Sequence, residues 1–256
     1  MTRVPVTIVI PVRNEGLQVR ECVEQLAWAD EVIVADGGST DDTVALAREA
    51  GARVLEQSGS TIAAQRNAAI AVARNPWVFA LDADERFSPE LRDELGRVIA
   101  APSHPAYRVR RRNFYLGREV TRGHWGRDWV ARLFSRERRY VERRVHESLE
   151  AVENPGALEG TLLHHPYRDL AHHMEKLELY ARWGAQDLYD RGVRATAWDL
   201  SFRPGWRFVK AYFLNGGILD GRFGLVTAVL GTWSGFLKYA HLWELEFRAR
   251  PPQGPQ

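Results

Sequence analysis

Cysteine is nearly absent from the 256-residue chain, in which Cys22 is the only one. A single thiol excludes a disulfide within the chain and is typical of proteins of a reducing compartment. The first residues lack the charged and apolar segments of a secretory signal, so we expect a cytoplasmic protein.

Long uncharged runs are also lacking. In the aromatic-rich segment 198–247 the longest such run is 223–237, which is shorter than the roughly 20 residues of a membrane-spanning helix. The segment therefore predicts amphipathic helices, which either lie on a membrane surface or pack on the rest of the chain.

Two phosphate-binding glycine patterns are missing. Neither G-x-G-x-x-G nor G-x-x-x-x-G-K-[ST] occurs in the chain, which counts against dinucleotide enzymes and P-loop NTPases. Apolar residues nevertheless make up 45% of the chain, enough for a sizeable core and too many for a disordered protein.

The net charge is only +2, but arginine is concentrated in one segment. Such a cluster predicts an anionic partner: nucleotide phosphates, a phosphorylated acceptor, nucleic acid or an acidic membrane surface. Against nucleic acid, the arginines alternate with acidic and aromatic residues, and no nucleic-acid-binding motif is present. The cluster consists of Arg108, Arg110, Arg111, Arg112, Arg118, Arg122, Arg127, Arg132, Arg136, Arg138, Arg139, Arg143 and Arg144.

Strand and helix patterns alternate over the first hundred residues. Apolar and β-branched runs predict strands over 4–12, 31–35, 52–55 and 77–81, and helical spacing predicts helices over 17–29, 43–50 and 61–73. This alternation predicts an α/β protein with a parallel, doubly wound sheet. Beyond residue 102 we expect strands over 107–114 and 160–166 and a long helix over 170–191.

The predicted strand 77–81 is followed at once by Asp82 and Asp84. In an open α/β sheet, ligands bind at the carboxyl ends of the strands. Two neighbouring carboxylates repel each other unless a positive charge lies beside them, and a divalent cation bridging to a substrate phosphate supplies it. The alternative is that both aspartates only cap the next helix, whose start is at Ser88-Pro89-Glu90.

These elements carry motifs that resemble the family-two glycosyltransferases with the GT-A fold. A second set of motifs is similar to the lipopolysaccharide core β-glucosyltransferases of bacteria. The first set is Pro11-Val-Arg-Asn14-Glu15, Asp36-Gly-Gly-Ser-Thr-Asp41, Gln65-Arg66-Asn67 and Leu81-Asp82-Ala-Asp84. The second is Arg112-Asn-Phe-Tyr-Leu-Gly117, Asp128-Trp to Arg132-Leu-Phe134, Val145-His146-Glu147, Leu163-His164 and Phe236-Leu-Lys-Tyr-Ala to Trp243-Glu-Leu.

The resemblance implies a Rossmann-like, mostly parallel central sheet with flanking helices and a helical C-terminal extension. It implies a catalytic domain over 1–168, with a nucleotide-sugar half at 1–100 and an acceptor half at 101–168. The helical region covers 169–250 and is expected either to contact a membrane surface or to pack on the catalytic domain, and the tail 251–256 is expected to be disordered.

The resemblance also implies a donor site that holds Mg²⁺ or Mn²⁺ against the two phosphates of a nucleotide sugar. Asp84 is then a direct metal ligand, Asp82 contacts ribose or metal, and His164 completes the metal site. Two of the remaining donor residues have structural alternatives: a turn or cap role for Asp36, and a surface position for Arg66. The implied nucleotide contacts are Asp36 at the uracil and ribose, Pro11 and Glu15 around that pocket, and Arg66 at the diphosphate.

An inverting transfer requires a base that deprotonates the acceptor hydroxyl. We favour Glu147, with Asp128 as the alternative base or as an acceptor-binding residue. Trp125 and Trp129 are candidate platforms for stacking on a sugar, or else core residues, and Arg132 is a candidate phosphate ligand.

The expected function is the transfer of a hexose, with glucose from UDP-glucose favoured, to a lipopolysaccharide core or related envelope acceptor at the cytoplasmic face of the inner membrane. The loop at 35–38 has one carboxylate where much of the superfamily has two, so the base of the nucleotide stays open. The alternatives are a glycosyltransferase of exopolysaccharide or polyprenyl-phosphate-linked sugar synthesis, a nucleotide-binding regulator without turnover, and an arginine-rich nucleic-acid-binding protein.

Overall fold

The structure, a computed structural model, describes residues 3–59, 61–122, 128–141 and 148–249. The described chain forms two compact units. The first comprises residues 3–114 and 128–166, and the second comprises residues 115–122 and 167–249. Residues 115–122, which the sequence assigned to the acceptor half, thus group with the C-terminal helices.

Short strands separated by helices make up the first unit. The helices are α1 (Val19–Glu24), α2 (Thr43–Glu49), α3 (Ile62–Ala71) and α4 (Pro89–Ala100). The strands of the chain are β1 (Val4–Val12), β2 (Ala29–Asp36), β3 (Arg53–Glu56), β4 (Trp77–Ala80), β5 (Glu85–Phe87), β6 (Ala106–Tyr115), β7 (Arg118–Val120), β8 (Asp128–Ser135), β9 (Tyr140–Val141), β10 (Ser148–Leu149) and β11 (Gly156–His164).

The main sheet has the order β3-β2-β1-β4-β8-β6-β11-β5. The first four strands of this order are parallel. Beyond β4 the sheet is mixed, since β8 is antiparallel to β4 and β6, and β11 is parallel to β6 but antiparallel to β5. The chain passes from β1 to β2 on one side and later to β4 on the other, so the carboxyl end of β1 is a switch point of the kind at which open sheets bind ligands.

Strand β1 is buried on both faces, as its β-branched run predicted. Ile8 and Ile10 belong to the core cluster that includes residues of α1 and α4. Val9 belongs to the opposite cluster, which includes residues of α3. Strands buried on both faces are typical of parallel sheets covered by helices on each side, and the predicted Rossmann-like α/β sheet is confirmed.

Hydroxyl side chains cap the helices on either side of β4. The Thr61 side chain accepts from the backbone N–H of Ala64 at the start of α3. The Ser88 side chain accepts from the N–H of Leu91 at the start of α4, and Pro89 occupies the first position of that helix, where its missing N–H has no cost. The capping of α4 by Ser88 leaves Asp82 and Asp84 for other contacts.

The second unit is helical. Its longest helices, α5 and α8, pack together through a cluster that contains Ala185, Tyr239 and Leu242. The helices are α5 (Leu170–Asp190), α6 (Ala197–Leu200), α7 (Phe202–Val209), a π-helical turn (Lys210–Leu214), a 3₁₀ turn (Gly217–Asp220) and α8 (Gly221–Ala249).

Within the described ranges, no single helix has both the length and the apolar character needed to cross a membrane. Among the residues that the structure describes, one pair of segments, 202–214 and 217–249, satisfies the criteria of length and composition jointly, with a bend of 67° between them.

Candidate active site

The loops that follow β1 and β2 are hydrogen-bonded to each other. Asn14 has a φ of +56°, a conformation that asparagine tolerates better than most residues. Its Oδ1 accepts from the backbone N–H of Thr40 at 2.8 Å. The N–H of Gly16 donates to the Asp41 carboxylate at 3.1 Å. These bonds fix both loops at the carboxyl edge of the sheet, beside the switch point.

Asp36, the last residue of β2, is buried. Its carboxylate accepts from the backbone N–H groups of Gly38 and Ser39, each at 3.0 Å. This is the turn role that the sequence left open, and the predicted contact with the nucleotide stays a prediction. A Cβ at Gly37 would come within 2.4 Å of the Nε2 atom of Gln65, so this loop packs closely against α3, and a larger residue there would displace the Gln65 side chain.

Asp84 and His164 are brought together by the pairing of β5 with β11. In this antiparallel pair His164 lies opposite Glu85, which places its side chain next to Asp84. The distance between Nε2 of His164 and Oδ1 of Asp84 is 3.5 Å. The backbone N–H of His165 also donates to the carbonyl oxygen of Asp84 at 2.9 Å. The structure therefore places two of the three predicted metal ligands side by side.

Asn113, on β6, determines the tautomer of His164. Its Nδ2 donates to Oδ2 of Asp128 at 3.2 Å, so its Oδ1 faces Nδ1 of His164 at 2.6 Å. Because an amide oxygen only accepts hydrogen bonds, the network assigns the proton of a neutral ring to Nδ1. Nε2 then directs a lone pair towards Asp84.

This pair has the donor chemistry of a divalent cation site. Two acceptor atoms that face each other are stabilised by a cation between them, and adjacent ligands of an octahedral ion lie about 3 Å apart. Carboxylates suit Mg²⁺ and Mn²⁺, and imidazole suits transition-metal ions, so the residues of this pair fit a divalent cation. In the part of the chain that the structure describes, no group of three or more His, Cys, Asp or Glu side chains is placed to hold a metal.

Asp82 is held by two arginines. Its carboxylate forms ion pairs with two buried guanidinium groups, those of Arg66 and Arg132. Burial alone would raise the pKa of Asp82, but the charges of Arg132 and Arg66 outweigh it and hold this pKa well below its usual value. Arginines therefore contact both oxygens of Asp82, and its predicted contact with ribose or metal stays a prediction.

Both arginines are buried, which excludes the surface position left open for Arg66, and their predicted phosphate contacts stay predictions. The side chain of Arg66 is 4% exposed and lies over the ring of Tyr140 at 4.8 Å. Arg132 is 5% exposed and also forms an ion pair with Glu85 at 2.6 Å. Burial opposes its protonation, yet the charges of Asp82 and Glu85 raise the pKa of Arg132 well above its usual value.

Glu85 and Arg111 link these ion pairs to Asp128, and the sequence did not single out either. Glu85 is fully buried and accepts from the backbone N–H of Asp82 at 2.9 Å. Arg111 lies 3.5 Å from Glu85 and 2.8 Å from Asp128. The available signal was period-two spacing, since Arg111 and Asn113 lie on the same face of β6 as the buried Val109.

The remaining predicted residues lie around this network or outside the described residues. Pro11 is partly buried on β1 opposite Ala35 of β2, and the N–H of Glu15 donates to the Thr43 hydroxyl at 2.9 Å. Trp129 is 44% exposed on β8, with the Arg108 guanidinium 5.1 Å from its ring. The favoured base, Glu147, and the second aromatic platform, Trp125, lie outside the described residues.

Known proteins are similar to this chain in sequence and in fold. The model of "Glycosyl transferase family 2" matches residues 7–148. The lipopolysaccharide core biosynthesis glycosyltransferase LpsC of Rhizobium meliloti is 30% identical over 259 residues, which cover 97% of this chain and 96% of LpsC. An uncharacterized glycosyltransferase of Rickettsia typhi is 27% identical over 93% of this chain and 86% of its own length.

Among solved structures, residues 1–349 of TarS from S. aureus align with 98% of this chain and 92% of that chain, with a TM-score of 0.51 and 14% identity. At this identity the likeness shows the GT-A fold. The family model covers more than half of the sequence and the LpsC relationship covers nearly all of it, so the chain belongs to glycosyl transferase family 2.

Proposed function

We propose that this protein is a metal-assisted, inverting hexosyltransferase that transfers glucose from UDP-glucose to a heptose-containing lipopolysaccharide core or a related envelope acceptor. The observation that supports it most is the Asp84–His164 pair, with its assigned tautomer, next to the switch point of the sheet. The relationship to LpsC, which is named for lipopolysaccharide core biosynthesis, supports the class of acceptor.

Asp84 and His164 would hold the cation, with the phosphates of the donor as its remaining ligands. When bound, Mn²⁺ or Mg²⁺ would neutralise charge on the leaving diphosphate. Asn113, itself held by Asp128, would accept from Nδ1 of His164 and direct Nε2 at this position, the usual role of groups behind a metal-binding histidine.

Asp82 would accept a hydrogen bond from a ribose hydroxyl. Its side chain is 28% exposed although arginines hold both its oxygens, and each carboxylate oxygen can accept more than one bond. The arginine pair keeps it ionised and fixes its rotamer. Asp36, Pro11 and Glu15 would form the wall around the base, and TarS, which shares the fold, has been solved with UDP-GlcNAc.

The transfer step requires one carboxylate to take the proton of the acceptor hydroxyl while that oxygen attacks the sugar from the face opposite the diphosphate. Asp128 is ion-paired with Arg111 and accepts from Asn113, so its carboxylate is already engaged by these two side chains. We therefore assign the base to Glu147 and acceptor binding to Asp128. Trp129, and Trp125 with it, would stack on the acceptor sugar.

The site of action would be the cytoplasmic face of the inner membrane, where a lipid-linked acceptor is available. The second unit exposes Trp198, Phe202 and Trp206 by 61%, 67% and 58%. Aromatic side chains next to arginine and lysine are typical of helices that lie in a membrane interface.

Calorimetric titration with UDP, in Mn²⁺ and then in EDTA, tests the donor site in wild type and in Asp84→Ala. We expect binding that needs Mn²⁺ and is lost in Asp84→Ala, whereas Asp93→Ala, at an exposed position on α4, behaves as wild type. Equal affinity in EDTA would remove the metal from the proposal. An absence of UDP binding in folded protein would move the search to other nucleotides.

A further inference from the structure

The second unit contains a cavity of about 810 Å³ that the transfer reaction does not use. Its volume is within the range of small-molecule sites, about 300–1,000 Å³. The π-helical turn, the 3₁₀ turn and one side of α8 line it. The charged residues that line it are Arg122, Arg207, Lys210 and Asp220.

The charge in this cavity is positive and only partly compensated. Arg122 forms an ion pair with Asp220 at 3.2 Å. Within the described ranges, no carboxylate lies at ion-pair distance from Arg207 or Lys210. The Arg207 side chain packs on α8, since a Cβ at Gly235 would lie 3.3 Å from its Cζ. Two uncompensated cations at one opening favour an anionic group there.

The floor of the cavity is apolar and made of small residues. Gly224, Ala228 and Gly231 follow one another along a single face of α8 and all line it. A Cβ at Gly231 would meet nothing within 4 Å, so the cavity reaches the helix backbone at that point. A hydrocarbon chain would bury apolar surface along this floor.

Thr232 also lines the cavity, and its Oγ1 is buried without a hydrogen-bond partner among the described groups. Helical threonines usually donate to the carbonyl one turn earlier, as Thr227 does to Phe223 at 3.2 Å. An ester or headgroup oxygen in the cavity would satisfy the Thr232 hydroxyl.

Large apolar side chains lie at and near the cavity. Leu214, which lines it, is 65% exposed, and its neighbour Phe213 and the nearby Leu219 are 51% and 70% exposed. Apolar residues at this exposure around a basic opening match the boundary between headgroups and acyl chains.

From these observations we propose that the helical unit binds one phosphorylated lipid, with the phosphate on Arg207 and Lys210 and an acyl chain along Ala228 and Gly231. This site does not depend on the donor chemistry of the first unit. It would anchor the enzyme by one specific lipid in addition to any general attraction between basic residues and an anionic membrane.

The test uses the full chain and a water-soluble short-chain phosphatidic acid, titrated below its micelle concentration. We expect one site per chain. The matching diacylglycerol, which lacks the phosphate, and inorganic phosphate, which lacks the chains, should each bind at least about tenfold more weakly.

Two variants address the two halves of the site. Arg207→Gln/Lys210→Gln removes the phosphate ligands and should weaken binding about tenfold or more. Gly231→Leu fills the floor with a better helix former and should abolish binding with no loss of thermal stability.

Each variant has a matched control. Arg168→Gln/Arg222→Gln removes the same charge from exposed positions of the same unit, and Gly205→Leu adds the same side chain where a Cβ also meets open space. Both controls should bind as wild type. Equal losses of lipid affinity in Arg207→Gln/Lys210→Gln and in Arg168→Gln/Arg222→Gln would show general electrostatic attraction instead of a specific site. Wild-type binding by Gly231→Leu, or tight binding of inorganic phosphate, would also overturn the lipid site.

Discussion

The imidazole of His164 is held by Asn113, whose Oδ1 lies 2.6 Å from Nδ1 of the ring. Through its Nδ2 the same amide also contacts Asp128, so one side chain joins the candidate metal ligand to the candidate acceptor residue. The two functions of the site are thereby linked through a single position on β6.

Replacement of Asn113 should separate these two contacts. Asn113→Ala removes the acceptor for Nδ1 and should weaken Mn²⁺ affinity by about 10–100-fold, the usual effect of losing the group behind a metal-binding histidine. Asn113→Asp retains that acceptor and should keep most of the affinity, while it repels Asp128. Direct Mn²⁺ titration, by the loss of the free-ion paramagnetic resonance signal, measures both. Equal affinity in wild type and Asn113→Ala would contradict the assigned tautomer.

The base assignment predicts a division between kcat and KM. Glu147→Gln should lower kcat by about 10²–10⁴-fold, the usual contribution of a general base, with unchanged UDP affinity. Asp128→Asn should mainly raise the KM of the acceptor. Steady-state kinetics with donor and acceptor varied separately distinguishes them, and the reverse result would make Asp128 the base.

The ion pairs of Arg132 should contribute to folding. Arg132→Met leaves the fully buried Glu85 without its closest cation, and breaking a buried pair from one side costs about 3–5 kcal/mol. Urea unfolding measures the loss. Arg92→Met breaks the half-exposed pair with Asp93 and should change stability by less than about 1 kcal/mol. Similar losses in the two variants would refute the structural role.

His173 should make the stability of the second unit depend on pH. Its ring stacks on Tyr167 with centroids 3.7 Å apart, and burial, with a smaller effect of His172, lowers the pKa of His173 to about 4. In the unfolded chain this histidine has its ordinary pKa of about 6.5 and therefore binds a proton more tightly than in the folded protein. The stability that the neutral His173 contributes to the folded state is therefore fully present above about pH 6.5 and is lost as the pH falls towards 4.

Between pH 7.5 and pH 5 the loss for this one group should be about 2 kcal/mol. Urea unfolding at the two pH values should show a smaller loss in His173→Asn than in wild type. His104→Asn, in the first unit, should retain the wild-type dependence. A wild-type pH dependence in His173→Asn would show that another group is responsible.

Alanine substitutions at two glycines of α8 should change the stability of the protein in opposite directions. A Cβ at Gly224 would lie 1.9 Å from the carbonyl oxygen of Gly217, whereas one at Gly231 meets nothing within 4 Å. Gly224→Ala should therefore destabilise the protein by about 1–3 kcal/mol, and Gly231→Ala should stabilise it by up to about 1 kcal/mol. Thermal unfolding of both variants is the measurement, and a shift of the same sign would contradict the close contact.

The parallel half of the sheet could be predicted because its determinants are local. A few consecutive residues are enough to identify the apolar run of β1 and the loop after β2. The predicted 4–12 strand is confirmed as Val4–Val12. The pairing of Asp84 with His164 was implied only by family resemblance. No local periodicity shows that β11 lies beside β5.

The partners of Asp82 could not be predicted for the same reason. Arg66 lies on α3 and Arg132 on β8, and only the antiparallel insertion of β8 next to β4 brings them to one carboxylate. From the sequence, both arginines were predicted to contact phosphates. Their burial is a property of the sheet order, which long-range pairing determines.

The hydrogen bonds between Asn14 and Thr40, and between Gly16 and Asp41, have a consequence for nucleotide recognition. A pocket wall that is assembled before the ligand arrives loses little conformational entropy on binding. UDP should therefore associate without a slow ordering phase, and substitutions in these loops should act mainly through the rate at which the nucleotide leaves.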